Sequence, residues 1–316
     1  MTIAPNIDGL EDASSTVFSI GIVIPTYNRV DALMTCLSHL ERQTMPEFEV
    51  VIVDDGSFDA TSERVAQFQQ QSSLRLRYVH QPNSGPARAR NLGVSILRAP
   101  VCLFIGDDIF VSPDFVAIHS QLHQRRPELQ VAGLGLTRWS ETGQDVTKFM
   151  RWLDTSGLQF SYGDLLGGVH PDWKHFFTSN LSVKTELLRQ FPFNEAFRYA
   201  AFEDIELGYR IQSQHGLELV FMANAIACHL HPTSVRSACK RMLKIGSTAQ
   251  IFYRLWPELQ PPGPTGLRRL FYGILLRNHW LIPPLIFVSE GVTRLWCPNP
   301  FMRVALTAHY MVGNSM

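Results

Sequence analysis

The strongest constraint on this chain is an alternation. From residue 19 to about residue 120, short apolar runs alternate with stretches of helical spacing. Ser19–Pro25 reads SIGIVIP, and its Ile and Val content marks a buried strand. Asp31–Gln43 puts Leu33, Leu37 and Leu40 on one helical face. Phe48–Val53 is a second strand, and Asp59 can cap a helix through Gln70 by accepting free N–H groups at its start. Leu74–His80, the helix Pro86–Leu97 and Val101–Ile105 continue the series, and Ser112 caps a further helix with Pro113 at its first position. Apolar strands joined through helices imply a parallel sheet covered on both faces.

Such sheets bind ligands outside the carboxyl ends of their strands. Three strands bring polar residues to that edge: Pro25-Thr26-Tyr27-Asn28-Arg29, Asp54-Asp55-Gly56-Ser57 and Gly106-Asp107-Asp108. Beyond about residue 130 the pattern loosens. Val131–Leu136 reads as a strand, Asp154–Asp172 as a long loop and Glu203–Gln214 as a helix. Leu217–Met222 and Ala225–Cys228 read as β, and Ser234–Tyr253 as a helix with clustered basic residues.

Each constellation has a chemical reading and a plain one. Adjacent carboxylates at Asp107-Asp108 repel each other, which a divalent cation with oxygen ligands relieves; a solvated turn is the alternative. Asp54-Asp55-Gly56-Ser57 suits a turn, yet a carboxylate there can accept N–H groups from a nucleobase. The run Asn83 to Asn91 opens a helix, whose N-terminus favours an anion. Its Arg88 and Arg90 have fork geometry suited to phosphate, but lie only two residues apart, so at most one faces the site. Glu203-Asp204-Ile205-Glu206 either complements a helix dipole or supplies a general base. His229 and His231 flank Leu230 on one face of a strand, where imidazoles can ligate metal or simply hydrogen-bond. Trp139, Trp152 and Trp173 can stack on a sugar or a base, or pack in the core.

Taken in order, these pieces resemble family 2 glycosyltransferases of the GT-A fold. The resemblance covers roughly residues 19–232 and runs from Ile24–Arg29 through Val53–Ser57, Asn83–Asn91, Gly106–Asp108, Thr178-Ser179-Asn180 and Phe202–Arg210 to His229. It implies an α/β fold, a Rossmann-like and mostly parallel sheet with flanking helices, followed by a helical C-terminal extension. It implies a nucleotide sugar donor, usually linked through uridine diphosphate. Pro25, Thr26, Tyr27, Asn28, Arg29, Asp55, Gly85, Arg88, Arg90 and Asp107 would contact the nucleotide. Asp107, Asp108 and His229 would hold Mn²⁺ or Mg²⁺. Asp204 would be the general base beside Glu203, with inversion at the anomeric carbon, and Asn180, Trp173 and Glu206 would meet the acceptor. That acceptor would be a glycan, a lipid-linked molecule or another hydroxyl compound. The metal motif departs from the family's frequent three acidic positions, with Gly106 before the pair and Ile109 after it. A sugar nucleotidyltransferase also joins a parallel sheet to metal-binding carboxylates, but Pro25–Arg29 stands where its Gly-rich loop would be. A non-catalytic binding module is the other competing class.

The expected divisions are a flexible lead-in over 1–18, a catalytic domain over 19–232 and a basic helical extension over 233–316. The catalytic domain itself splits into a nucleotide-binding half, 19–130, and an acceptor half, 131–232. Charge follows that last boundary. The 316 residues carry 28 Lys and Arg against 28 Asp and Glu. Residues 1–231 hold 18 basic and 26 acidic side chains; residues 232–316 hold 10 and 2. Neutrality overall excludes a uniformly basic nucleic-acid binder, and the low charged fraction of 18% excludes a disordered chain. The five cysteines are odd in number and lack CxxC spacing, against a disulfide framework or zinc finger. Met1–Ser19 lacks the apolar centre of a signal peptide, and no run reaches the roughly 20 apolar residues of a membrane span. The expectation is a cytoplasmic protein. Its section 233–316 could meet the inner membrane face, pack on the body, or join another subunit in an oligomer.

Overall fold

The computed structural model describes residues 18–159, 162–293, 297 and 300–314; the expected lead-in falls outside these but for its last residue. The chain forms two compact units. One ends at His231 and omits Asp145–Phe160; the other comprises Asp145–Phe160 with Pro232–Met316. Residues 145–160 thus group with the C-terminal section rather than with the sheet.

The first unit is built on an eight-stranded sheet of order β3-β2-β1-β4-β7-β6-β8-β5. Its strands are β1 Ile20–Thr26, β2 Phe48–Asp54, β3 Arg75–His80, β4 Val101–Phe104, β5 Ile109–Val111, β6 Val131–Trp139, β7 Leu181–Lys184 and β8 Glu218–His229. Its helices are α1 Val30–Leu40, α2 Thr61–Gln71, α3 Pro86–Ile96, α4 Phe115–Arg125, α6 Tyr162–Leu166, α7 Thr185–Gln190 and α8 Glu203–His215. Four of the seven strand pairings are parallel; β4 with β7, β6 with β7 and β5 with β8 are antiparallel. The sheet is therefore mixed with a parallel majority.

Strand periodicity puts both sheet faces under helices. Ile20, Ile22 and Ile24 alternate onto one face, where they join Phe48, Val50 and Ile52 and the α1 residues Leu33 and Leu37. Val23 points the other way, toward α3. There Gly93 approaches so closely that an added Cβ would lie 2.4 Å from Val23 Cγ1. A side chain at position 93 would push α3 off the sheet.

Several local expectations need correction. Asp59 is not the cap of α2, which is Ala60. Its carboxylate nevertheless accepts from Thr61 N at 3.1 Å and Val30 N at 3.2 Å, so it serves the starts of two helices. The helix expected from Pro113 begins at Phe115, and Ser112 Oγ is spent on Asp114. The long loop expected over 154–172 contains the end of one helix, α5 Lys148–Ser156, and all of α6. The two β runs near residue 220 are one strand, whose register against β6 jumps from Met222 to Ile226.

The second unit is helical: α5, α9 Val235–Leu255, α10 Gly266–Arg277, α11 Ile282–Thr293 and α12 Pro300–Gly313. Ser234 and Ser237 form a reciprocal cap at the start of α9. Leu275, Ala308 and Val312 form a core, with Tyr272, Leu276, Leu281 and Leu285 packed against it. Among the described residues no helix is long and apolar enough to cross a membrane.

Candidate active site

The site is assembled where β1, β4 and β8 end. Gly106 lets the chain leave β4, and Asp107 and Asp108 follow, each nearly buried. Their partners differ. Asp107 Oδ2 accepts from Thr26 Oγ1 at 2.8 Å, and its Oδ1 from Arg29 Nη1 at 2.9 Å. Asp108 Oδ2 accepts from the same guanidinium at 2.6 Å, with His229 Nε2 at 3.2 Å and His231 Nδ1 at 3.5 Å. Burial and then the Asp108 charge push the Asp107 carboxyl up to about 6, against the pull of Arg29. Burial would raise Asp108 too, but His229, hydrogen bonds from both imidazoles and Arg29 hold it well below the usual carboxylate range. Trp139 stacks on His229 with centroids 5.4 Å apart, and His231 stacks on it at 5.3 Å.

Asp108, His229 and His231 each offer a ligand atom, all within 4.8 Å of one another. One carboxylate and two imidazoles form a donor set fit for a divalent transition ion. His231 joins this set and Asp107 does not, being turned to Thr26 and Arg29. Alternation about Leu230 was the sequence signal for His231.

At the end of β2 the carboxylates are held by neutral donors. Asp54 accepts from Tyr78 Oη at 2.5 Å and Ser57 N at 2.8 Å. Asp55 accepts from Gln81 Nε2 at 2.6 Å, and from Ser84 N and Gly85 N at 2.8 Å. Asp55 therefore shapes the loop that opens α3. Gly85 has φ +93°, and a Cβ there would meet Arg198 O at 2.7 Å, so conformation and space both require glycine. Asn28, at φ 52°, pins the neighbouring loop: its Oδ1 accepts from Phe58 N, and its N–H donates to Ser57 Oγ. Tyr27 is 44% exposed and meets Phe58, 84% exposed, edge to face at 6.2 Å. Phe58 carries no motif, so its place against Tyr27 was not legible in the sequence. Pro25 lies within β1.

Of the two arginines on α3, Arg90 turns inward and donates to Glu203 at 3.0 Å. Arg88 is exposed, 4.0 Å from Glu195. Arg90 thus meets a carboxylate rather than an open phosphate position. Glu203 and Asp204 begin α8 after Phe202, whose φ of 68° is a costly conformation for a bulky residue. The two acids then leave α8 about 100° apart, as successive helical residues do. Glu203 is buried; burial and then the Asp204 charge push it up to about 7 despite Arg90. Asp204 is half-buried, with Ile205 N at 2.8 Å and Thr178 N at 3.4 Å. Its pKa is raised by burial, which Arg90 and these backbone donors only partly offset.

The expected acceptor residues fare differently. Asn180 is fully buried; its Oδ1 meets His119 at 2.9 Å and its Nδ2 donates to Ala225 O at 2.9 Å. Glu206 is buried and paired with Arg210 at 3.2 Å, one helical turn on. Both find partners within the fold, as buried polar side chains must to avoid a desolvation cost. Trp173 lies edge to face with Tyr209 at 4.9 Å, half-buried.

The family model described as glycosyl transferase family 2 matches residues 21–204. A validoxylamine A glucosyltransferase of Streptomyces hygroscopicus subsp. jinggangensis is 31% identical over 242 residues, 66% of this chain and 54% of its own. The uncharacterized glycosyltransferase YfnE of Bacillus subtilis is 28% identical, over 68% of this chain and 66% of its own. The chain spans about half the length of the validoxylamine A glucosyltransferases it matches. Among solved structures, the mannosyltransferase PcManGT of Pyrobaculum calidifontis, in complex with GDP-Man and Mn²⁺, superposes with TM-score 0.60. It shares 15% identity and is covered over 87% of its length by 95% of this chain. Staphylococcus aureus TarS 1–349 with UDP gives TM-score 0.51 at 15% identity, covering 94% of this chain and 90% of that one. The fold is that of GT-A glycosyltransferases. With the family model covering more than half the sequence, this chain belongs to glycosyl transferase family 2.

Proposed function

We propose that this protein transfers a glycosyl group, with inversion, from a nucleoside diphosphate sugar to an acceptor hydroxyl, and that Asp204 is the general base. The observation that carries this reading is the division of labour at the start of α8. Glu203 is sealed against Arg90, while its neighbour Asp204 is half-buried and takes only backbone donors. A raised pKa suits a carboxylate that must take a proton near neutral pH.

In the proposed reaction Asp204 removes the proton of the acceptor hydroxyl. The freed oxygen attacks the anomeric carbon from the face opposite the diphosphate. The bond to the diphosphate breaks as the new glycosidic bond forms, and configuration inverts. The ring pair Tyr27 and Phe58 offers an exposed apolar surface for the nucleobase, and Asp55 fixes the loop beside it. Uridine is the favoured base, since the implied family most often uses it. Asp108, His229 and His231 would hold a divalent ion, and two nitrogen donors favour Mn²⁺ over oxygen-preferring Mg²⁺. When bound, such an ion supplies Lewis-acid stabilisation of the leaving diphosphate charge. A glycan, a lipid-linked molecule or another hydroxyl compound would be the acceptor.

The test is Asp204→Asn, assayed by nucleoside diphosphate release from a panel of UDP- and GDP-sugars with Mn²⁺. Turnover should fall by about 10²–10⁴, with nucleotide affinity by calorimetry within a few-fold of wild type. Near-normal turnover would remove Asp204 from the base role.

A further inference from the structure

The second unit carries a surface that the transfer reaction does not use. Helix α10 has two apolar faces. One packs inward through Leu275, with Tyr272 and Leu276 against Ala308 and Val312. The other is exposed: Leu267 at 84%, with Leu270, Phe271 and Ile274, at successive spacings of three, one and three residues. That spacing aligns them along one side of the helix. The pattern repeats in the next element. Trp280 is 71% exposed and Phe287 77%, with Pro283, Pro284 and Val288 also open. A large exposed apolar surface of this kind marks an interaction site.

The charge around it is one-sided. Residues 232–316 hold 10 basic and 2 acidic side chains, a net of +8. One of the two acids, Glu290, is taken up by Arg236 at 3.1 Å. Arg277 borders the exposed row on α10, and Arg269, on the side of the helix away from that row, is also open to solvent. Two copies of such a surface would bring like charges together, which disfavours self-association. A nucleic acid would satisfy the arginines but leave Leu267, Trp280 and Phe287 in water. An anionic bilayer meets both needs, because headgroups take the charge and the acyl boundary takes the apolar row.

We infer that the exposed faces of α10 and α11 are a docking surface for an anionic lipid bilayer. The helices lie in the interface and do not cross it. At 12 residues each they are about 18 Å long, short of the roughly 30 Å hydrocarbon core. Trp280 sits in the interfacial layer that favours its amphipathic ring. This proposal is independent of the chemistry assigned to Asp204.

The experiment is co-sedimentation of the full chain with vesicles of phosphatidylcholine alone, and of phosphatidylcholine mixed with phosphatidylglycerol. Tryptophan emission is read in parallel. Binding should appear only with phosphatidylglycerol, weaken at high salt and shift the emission to the blue. Phe271→Ser with Phe287→Ser should lower the partition coefficient at least about tenfold. Arg269→Gln with Arg277→Gln should lower it by up to about thirtyfold. Both pairs change exposed residues, so far-UV circular dichroism and melting should match wild type. Equal binding to both vesicle types, or none to either, overturns the proposal. So does a concentration-dependent dimer in sedimentation that Phe287→Ser disperses, because the surface would then be an interface between copies.

Discussion

Two adjacent-acid motifs of this molecule, Asp107-Asp108 after β4 and Glu203-Asp204 at the start of α8, solve one electrostatic problem differently. After β4 the charges are met by Arg29, which bridges both carboxylates, and by two imidazole rings that converge on Asp108. The result is divergence, with Asp107 pushed up to about 6 and Asp108 held low. At α8 the cation Arg90 donates to Glu203 and only partly offsets the burial of Asp204, and both acids are raised. A carboxylate held low is ready to bind a cation; one held high is ready to take a proton. Adjacent acids in a sequence are thus distinguished by which cations the fold delivers to them.

The largest expected effect comes from breaking the cation side of that contrast. Asp108→Asn removes the only carboxylate of the Asp-His-His set. Mn²⁺ affinity, by calorimetry, should fall more than about 100-fold, beyond what loss of a supporting residue costs. Asp107→Asn should cost less, about 10- to 100-fold, since Asp107 acts through Thr26 and Arg29. Equal losses in the two variants would mean that Asp107 is a direct ligand after all, and the division drawn here would fail.

Glu203→Gln probes the other side through pH. The native carboxyl titrates at about 7, above its value in the unfolded chain of about 4.3. A raised carboxyl stabilises the fold fully below the unfolded value, and that contribution is lost as pH rises toward 7. Wild type should therefore lose stability relative to Glu203→Gln between about pH 4.5 and pH 7.5, on the order of 3 kcal/mol at most. Melting temperatures across that range measure it. The sign is informative, because burial of the ionised acid would then outweigh the gain from Arg90. Melting curves that diverge the opposite way would show that the ion pair dominates.

Much of this was legible in the chain, and the part that was not has a common cause. The parallel strands and the acids at their ends declared themselves through local pattern. Asp204 and Glu206 could also have been told apart. Glu203, Glu206 and Leu207 fall at helical spacing on one buried face, and Asp204 is rotated about 100° from Glu203. The bridge from Arg29 to Asp107, 78 residues away, and that from Arg90 to Glu203, 113 away, leave no local trace. Nor do β5 and β7, whose three and four residues are too short to display a period. The burial of Asn180 was hidden for a related reason. Its sequence looks like a loop, but His119 and Ala225, from distant segments, close over it.

The smallest expected effect lies at the third acidic pair, Asp54-Asp55, and it sharpens the contrast because its partners among the described residues are neutral. Asp55 shares its charge among Gln81 and the N–H groups of Ser84 and Gly85. Gln81→Leu removes one of these three donors while keeping the side chain's approximate size. Backbone donors held by the Gly85 turn remain in place, so the loss should be about 1 kcal/mol in urea unfolding. Ionic strength should barely change that difference, since neutral dipoles rather than screened charges are involved. A salt-dependent loss, or one as large as that of a broken buried ion pair at about 3 kcal/mol or more, would mean that Asp55 depends on a cation too. The three pairs would then differ in degree rather than in kind.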